Sequence, residues 1–480
     1  MKTSRVLTAL LAVVAWVAPP IPLQAWAIRP PVVEPGPAPS GPVGPPEPTE
    51  LKSLCGIQTG TLPQTDYSLQ TAAETMLDYR SAWQFSRGAG QKVAVIDTGV
   101  NPHPRLPALE GGGDYVSSTN GLQDCDAHGT LVAGIIAAIP SPDDGFAGVA
   151  PDARILSIRQ NSAVYGLQGG GGGRQNNDPN AISEGYGNTL TLAYAISRAV
   201  SMGATVINLS EVACSPVGSG LDDKALGQAV RDAFEHNVVV VAAAGNFNQQ
   251  GLCNAQNVMT DPNMPLQAGW DSVRTIASPA WFDQYVLTVG AVTPSAEPAD
   301  FSLHGPWVAV AAPGERITSL NPNGPSLTNE VLTKQGWSQV NGTSFAAPFV
   351  SGLVALIRSR FPDLNAGQVM DLVKRTAHTP GVGPNMATGY GVIDPTAALT
   401  NWLPAPNQIP NPQAGSRIAG RPHTPPASRQ ARTIVFCVTA AALALMAVAG
   451  GVAIGGRRRP ARTPAEKSDG TDDVLVQRSS

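Results

Sequence analysis

Short apolar runs alternate with amphipathic segments between residues 91 and 400 of the chain. The apolar runs predict buried strands at residues 92–97, 204–209, 238–243, 285–292 and 307–311. Helical spacing of apolar positions predicts helices at residues 69–85, 189–202, 221–236, 342–360 and 365–377, and a further helix beginning at His128. Strands that alternate with helices are typical of a mostly parallel sheet covered on both faces. We therefore predict an α/β fold of three layers.

The two ends of the chain carry longer apolar segments. Lys2 and Arg5 precede an apolar run at residues 6–18, and small residues at Ala25 and Ala27 suit a signal peptidase, so residues 1–27 are predicted to be a signal peptide. Prolines within residues 19–22 argue against the alternative, an uncleaved anchor. Residues 434–454 lack any charge and would form a helix about 31 Å long, enough to span a bilayer.

This second run predicts one transmembrane helix at residues 433–455, because Pro-rich or Arg-rich sequence on both sides disfavours a buried core helix. With a cleaved signal peptide, the chain becomes a single-pass type I protein of the cell membrane. The domain at residues 91–400 then lies on the extracytoplasmic (periplasmic) side, and residues 456–480 form a cytoplasmic tail.

The remaining segments are interpreted from composition. Residues 28–50 are Pro-rich and predicted to be extended and solvated, residues 51–90 form an N-terminal extension, and residues 401–432 form a Pro-rich linker. A Gly- and Asn-rich stretch between Gln160 and Asn188 fits neither helix nor strand and is predicted to be a mobile insertion.

The charge balance excludes one class of partner. The chain has 31 Lys and Arg against 35 Asp and Glu, so its net charge is −4. Nucleic-acid-binding proteins need a clear basic excess, and aromatic residues, which stack on bases, make up only 5% of the chain. We therefore predict no nucleic-acid partner.

Three short motifs hold residues that do chemistry in hydrolases: Asp97-Thr98-Gly99, His128-Gly129-Thr130 and Gly342-Thr343-Ser344. Each alone is more often a turn residue or a helix cap. An aspartic protease would need a second Asp-Thr-Gly or Asp-Ser-Gly, which the sequence lacks. The G-x-S-x-G motif of α/β-hydrolases is also missing, since Ala346 stands where its last glycine would be.

Taken together, in the order Asp, His, Ser, the motifs resemble those of the subtilisin-like (subtilase) serine peptidases over residues 91–400. The segments 206–210, 244–246 and 301–314 extend this resemblance. The signal peptide, the Pro-rich N-terminal extension, the C-terminal span and the His-Gly-Thr-Leu variant look more narrowly like the mycosins, the membrane-anchored subtilases of mycobacterial type VII secretion systems. The resemblance implies a subtilisin-like fold.

The resemblance also implies roles for four residues. Ser344 would be the nucleophile, His128 the general base, and Asp97 the group that orients His128. Asn246 matches the subtilase position whose side-chain amide donates to the oxyanion. No metal or organic cofactor is needed for this chemistry, and no compact acidic loop marks a calcium site.

The sequence departs from the subtilase pattern at two places. Leu131 replaces a second histidine after His128, at a position that is not catalytic. Subtilases often have a small Leu-Gly-Gly run after the strand ending at Ser210, where this chain has Glu211, Val212 and Ala213. With Leu209, Ser210 and Glu211 as predicted substrate-binding residues, the bulk and charge should narrow the cleft and favour selective cleavage.

Five cysteines suit an oxidising compartment, and Cys437 falls within the predicted span. The other four allow three pairings. If strands 204–209 and 238–243 are neighbours in a parallel sheet, the loops that follow them meet at one edge. That arrangement favours a Cys214–Cys253 disulfide, which leaves Cys55 to pair with Cys125.

The sequence thus predicts a membrane-anchored serine endopeptidase that processes a protein of a type VII secretion pathway. The predicted partners are a protein or peptide substrate, the membrane and the type VII secretion membrane complex. The alternative is a structural subunit that stabilises this complex, with proteolysis secondary.

Overall fold

The computed structural model describes residues 28–169, 178–182, 185–249, 253–258 and 266–401. The strands in these ranges are β1 (Thr49–Leu51), β2 (Thr59–Gly60), β3 (Lys92–Asp97), β4 (Leu109–Asp114), β5 (Arg154–Arg159), β6 (Tyr165–Leu167), β7 (Val206–Leu209), β8 (Ala213–Pro216), β9 (Val239–Ala243), β10 (Thr275–Ser278), β11 (Val286–Val292), β12 (Val308–Pro313), β13 (Ser319–Leu320), β14 (Leu327–Thr328), β15 (Glu330–Thr333) and β16 (Gly336–Gln339). The helices are α1 (Ala72–Leu77), α2 (Tyr79–Ala82), α3 (His128–Ala137), α4 (Thr189–Ser201), α5 (Lys224–Glu235), α6 (Thr343–Arg360), α7 (Ala366–Thr376) and α8 (Pro395–Thr400).

A seven-stranded sheet forms the centre, in the order β12-β11-β9-β7-β3-β5-β4. Every neighbouring pair in it is parallel, which confirms the predicted sheet. Side chains alternate along β3: Val93 and Val95 join the core beneath α3, α6 and α7, whereas Ala94 and Ile96 join the core beneath α4 and α5. The two cores on opposite faces of the sheet give the three predicted layers.

The predicted helix at residues 69–85 is divided in the structure. Thr71 caps α1 through a capping box with Glu74, and Asp78 then adopts a left-handed conformation with φ of 43° that ends the helix. α2 follows directly. The packing of Tyr79 and Ala82 into the core accounts for the change of direction, since both side chains are buried.

Part of the N-terminal segment at residues 28–50 packs against the domain, whereas other residues of it, such as Val32, are exposed. Ile28 and Val33 pack on the core beneath α4 and α5. The Val33 carbonyl accepts a hydrogen bond from Arg231 at 3.2 Å. Further along, β1 pairs with β6, so part of the predicted mobile insertion is a strand. Residues 170–177, at the centre of that insertion, lie outside the described residues.

Both predicted disulfides are present. Cys55 is bonded to Cys125, and Cys214 is bonded to Cys253, with Cα–Cα separations of 4.5 and 5.0 Å. The Cys214–Cys253 pairing was predicted on the assumption that the strands before these cysteines are neighbours, and β7 and β9 are indeed adjacent and parallel. The first disulfide joins the N-terminal extension to the loop that leads into α3.

None of the helices in the described ranges combines the length and the apolar character needed to cross a bilayer. The predicted signal peptide, transmembrane helix and cytoplasmic tail lie outside these ranges, as does the predicted linker apart from Asn401.

Candidate active site

The four residues singled out by the sequence come together at the carboxyl edge of the central strands. Asp97 is the last residue of β3, and Asn246 follows β9 after a short loop. His128 is the first residue of α3, and Ser344 is the second residue of α6. Parallel α/β sheets bind ligands at this edge. The sheet order places β3 and β9 on either side of β7, so the loops after all three strands surround one site.

Asp97 holds the imidazole of His128. The Asp97 carboxylate is fully buried, and its Oδ1 lies 2.7 Å from His128 Nδ1. The same oxygen accepts from the backbone N–H of Thr98 at 2.8 Å. The Thr98 hydroxyl in turn accepts from the N–H of Gly129 at 3.0 Å, which fixes the start of α3 against the end of β3. With Nδ1 donating to Asp97, Nε2 of the neutral ring is left as an acceptor.

Ser344 is held at the start of α6 by residues that follow β7. The Ser210 hydroxyl donates to the backbone carbonyl of Ser344 at 2.7 Å and accepts from the Asn208 side-chain amide at 2.8 Å. The other atom of that amide, Oδ1, accepts from the Ser351 hydroxyl at 2.8 Å. This buried network attaches two turns of α6 to the central strand, so the position of Ser344 is fixed by the sheet.

Asn246 is oriented by the residue before the serine. Its Oδ1 accepts from both the backbone N–H and the hydroxyl of Thr343, at 2.9 and 3.0 Å. Since Thr343 occupies that oxygen, the NH₂ group of the Asn246 amide is available to donate a hydrogen bond into the cavity. A Cβ added to Gly342 would lie 2.8 Å from Ser344 Oγ and 3.4 Å from Asn246 Nδ2. The hydroxyl and the amide nitrogen therefore converge on the space that this glycine leaves open.

A cavity of about 330 Å³ contains these groups. It is lined by His128, Ser210, Glu211, Asn246, Val331, Thr333, Ser338, Gln339, Val340, Asn341, Ser344 and Phe345. A second depression, of about 610 Å³, shares Asn246 and Asn341 with it and continues past Phe247 and Phe301. The two depressions meet at Asn246 and Asn341 and form one continuous groove beside Ser344.

The predicted substrate-binding residues are placed differently from one another. Ser210 and Glu211 line the cavity, and the Glu211 carboxylate lies 3.7 Å from His128 Nδ1. The side chain of Leu209 instead lies fully buried in the core beneath α4 and α5. Among the described residues, no group of three or more His, Cys, Asp and Glu side chains is arranged to hold a metal ion.

Several residues of the cavity wall were not predicted from the sequence. Val331, Thr333, Ser338 and Gln339 belong to the hairpin β15–β16, which lies over the cavity. The hairpin is joined by β2 of the N-terminal extension to form a three-stranded antiparallel sheet. Its strands are only four residues long and mix apolar with polar residues without a clear alternation, so the local pattern did not predict them. Thr343, which orients Asn246, was visible only as part of the Gly-Thr-Ser motif.

Residues 88–391 match the subtilase family of peptidases (Peptidase_S8). The chain belongs to the subtilase family. This subtilase is 45% identical to Mycosin-1 of Mycolicibacterium smegmatis over 409 residues, which cover 84% of this chain and 88% of the relative.

Solved structures agree with this assignment. The subtilase resembles the crystal structure of MycP1 from Mycobacterium smegmatis with a TM-score of 0.73 and 44% identity, over 80% of this chain and 98% of that one. It also resembles a chain in the structure of an intact ESX-5 inner membrane complex, with a TM-score of 0.71 and 40% identity, over 89% of this chain and 99% of that one. The subtilisin-like fold predicted from the motifs is confirmed.

Proposed function

We propose that this subtilase is a membrane-anchored serine endopeptidase with its active site on the extracytoplasmic side. In this proposal Ser344 is the nucleophile, His128 the general base and Asn246 an oxyanion donor. The observation that carries it is the 2.7 Å contact between His128 Nδ1 and Asp97, on a ring that lines the same cavity as Ser344 and Asn246. These groups supply the base, the nucleophile and the electrophilic site that acyl transfer needs.

In the proposed reaction each of these groups has one role. His128 Nε2 takes the proton of the Ser344 hydroxyl as Oγ attacks the substrate carbonyl. The new oxyanion is stabilised by the Asn246 amide and by the backbone N–H of Ser344 at the positive end of α6. His128 then gives its proton to the leaving amine, and a water molecule activated by the same base hydrolyses the acyl-enzyme. Asp97 stabilises the imidazolium that forms.

The substrate proposed is a protein of a type VII secretion pathway, bound as an extended segment in the groove beside Ser344. The similarity to mycosins supports this choice. The bulk and charge of Glu211 at the groove wall favour selective cleavage over general digestion. A single span at residues 433–455 would hold the domain near the membrane, with the cytoplasmic tail at residues 456–480.

A second candidate function is a structural subunit of a secretion membrane complex. It is favoured by the similarity to a chain that forms part of the ESX-5 inner membrane complex. The two functions are compatible, because the proposed catalytic groups occupy a groove and leave the outer faces of the helices available for contacts.

Covalent labelling tests the catalytic proposal. The full-length chain, in membranes, is treated with a fluorophosphonate probe, and the labelled residue is identified by mass spectrometry. We expect Ser344 to be modified and labelling to disappear in Ser344→Ala, with His128→Ala and Asp97→Asn strongly slowed. Labelling that persists in Ser344→Ala would contradict the assignment. Secretion measured in a strain that carries only Ser344→Ala separates catalysis from a structural role.

A further inference from the structure

Glu211 places a second carboxylate against the imidazole of His128. Glu211 follows β7 through Ser210, and its Oε1 lies 3.7 Å from His128 Nδ1. The same nitrogen lies 2.7 Å from Asp97 Oδ1. A neutral imidazole has only one N–H to donate, and here Asp97 takes it. The Glu211 carboxylate therefore forms an ion pair with the ring only when the ring is an imidazolium.

The other charges around His128 have the same sign. Asp97 comes from β3, and Asp124 and Asp126 come from the loop before α3; all three act electrostatically on His128 or Glu211. Asp124 accepts hydrogen bonds from Thr130, and Asp126 accepts from Ser162, so both are fixed within the fold. The hairpin wall opposite contributes only Val331, Thr333, Ser338 and Gln339, none of which is charged. Glu211, whose side chain is 29% exposed, is the one carboxylate of this set that lines the cavity.

We propose that Glu211 is a positioning residue that holds His128 in its protonated form at rest, so that Ser344 reacts slowly until the Glu211 charge is removed or drawn away. This inference rests on the proposed function, in which His128 is the general base. An imidazolium cannot accept the serine proton, so the Ser344 hydroxyl is a weak nucleophile in the resting chain. A bound substrate segment that neutralises or displaces the carboxylate returns the ring to its neutral form.

The directions of titration agree with this geometry. Burial of the ring lowers the pKa of His128, but the Asp97 carboxylate, followed by Glu211 and Asp124, outweighs burial and raises it overall. Burial raises the pKa of Glu211 to about 7, and the neighbouring His128 opposes this rise while Asp97 and Asp126 add to it. The Glu211 carboxyl therefore titrates near neutral pH beside a ring that is held protonated, and the titrations belong to the pair.

The test is the pH dependence of fluorophosphonate labelling at Ser344, measured on the full-length chain in membranes for wild type, Glu211→Gln, Glu211→Ala and Glu211→Asp. Removing a negative charge lowers the pKa of His128, so the acid limb of the profile should move to lower pH. We expect a shift of about 1 pH unit in the Gln and Ala variants. Labelling on the acid limb should then be about tenfold faster. Glu211→Asp keeps the charge and should stay close to wild type.

The matched control is Glu235→Gln, which removes a carboxylate from an exposed position on α5. It should leave the profile unchanged. An unshifted acid limb in Glu211→Gln, or a slower reaction at every pH with the same limb, would overturn the proposal, because either result indicates a purely structural role.

A direct titration keeps the two proposals distinguishable. The chain has six histidines, so the His128 ring signal can be assigned by NMR through a His128→Gln variant in a Ser344→Ala background. The pKa of His128 should fall when Glu211→Gln is added. A fall in the His128 pKa, together with no reaction at Ser344 in either wild type or Glu211→Gln, would support the contact but contradict the proposed function. An unchanged His128 pKa would contradict the Glu211 proposal whatever the labelling shows.

Discussion

Thr343 donates twice to the side-chain oxygen of Asn246, from its backbone N–H at 2.9 Å and from its hydroxyl at 3.0 Å. The Thr343 hydroxyl also accepts from the N–H of Gly245 at 3.2 Å. The residue before the nucleophile thus fixes the loop after β9 and decides which end of the Asn246 amide faces the groove. The oxyanion donor and the nucleophile are held by the same turn of α6.

The first prediction concerns this orientation. Asn246→Ala removes a transition-state donor and should slow labelling or turnover by 100-fold or more, equivalent to about 3 kcal/mol. Thr343→Val removes one of the two bonds that orient the amide, so a smaller loss of about tenfold is expected. Rates of fluorophosphonate labelling at fixed pH measure both effects. The control is Thr343→Ser, which keeps the hydroxyl and should react at nearly the wild-type rate.

A second prediction concerns the space beside the nucleophile. Gly342→Ala would place a Cβ 2.8 Å from Ser344 Oγ and 3.4 Å from Asn246 Nδ2. Labelling should be nearly abolished. Gly342 also has a φ of 154°, which L residues rarely adopt, so the melting temperature should fall as well. The matched control is Gly383→Ala, where φ is also positive, at 92°, and an added Cβ meets no atom within 4 Å. Equal labelling rates in the two variants would show that the space beside Ser344 is not needed.

The third prediction concerns the Cys214–Cys253 disulfide. The bridge spans 39 residues, so its removal is expected to cost about 4 kcal/mol by chain entropy. The two sulfur atoms lie beneath Gly245, since a Cβ there would be 3.3 and 3.4 Å from them. A Cys214→Ser, Cys253→Ser chain should therefore lose labelling rate at temperatures where it is still folded, because the Asn246 loop loses its support.

Denaturation curves and labelling rates on the same preparation test this prediction. The double Cys55→Ser, Cys125→Ser chain is the comparison, because its bridge joins the N-terminal extension to the loop before α3. It should lose stability without the specific loss at Asn246. Full activity in the Cys214→Ser, Cys253→Ser chain would contradict the proposed support.

The central strands could be predicted because they are apolar on both faces. β3, β7 and β9 appear in the sequence as continuous apolar runs, and their parallel order places Asp97 and Asn246 at the same edge. β4 was missed because Leu109–Asp114 contains three glycines and only one large apolar residue. β5 was missed because arginines at both ends interrupt a short apolar segment.

Other features could not be predicted because they depend on contacts between segments that are distant in the sequence. β2 pairs with β15 although the two strands lie far apart in the sequence. Such long-range pairing gives neither segment a hydrophobic periodicity that could predict it. The packing of Val33 beside α5 likewise depends on a surface formed by residues much later in the chain. Glu211 was recognised as an unusual residue in the cleft, but its distance from His128 is set by the relative positions of β7 and α3.

The last prediction concerns how the N-terminal extension acts on the groove. Asn329, which is buried at the base of the β15–β16 hairpin, accepts from the Leu62 N–H at 2.9 Å and donates to the Thr65 hydroxyl at 2.7 Å. Asn329→Ala removes both bonds and leaves the partly buried N–H of Leu62 unpaired, so a loss of about 1–3 kcal/mol in stability is expected. The hairpin carries one wall of the groove, and its loosening should raise KM for a polypeptide substrate. The reaction of a small fluorophosphonate with Ser344 does not depend on binding an extended segment along that wall, so its labelling rate should stay nearly unchanged.

Asn323→Ala is the matched control, because Asn323 also donates to the extension, at the Ile57 carbonyl, but from an exposed position. It should cost no more than about 0.5 kcal/mol, since water replaces the lost bond. Thermal denaturation, KM for an unstructured polypeptide and the labelling rate are compared in the two variants and wild type. If Asn329→Ala slows polypeptide turnover and small-probe labelling equally, the extension supports the fold of the whole site, and a specific role in shaping the substrate wall is wrong.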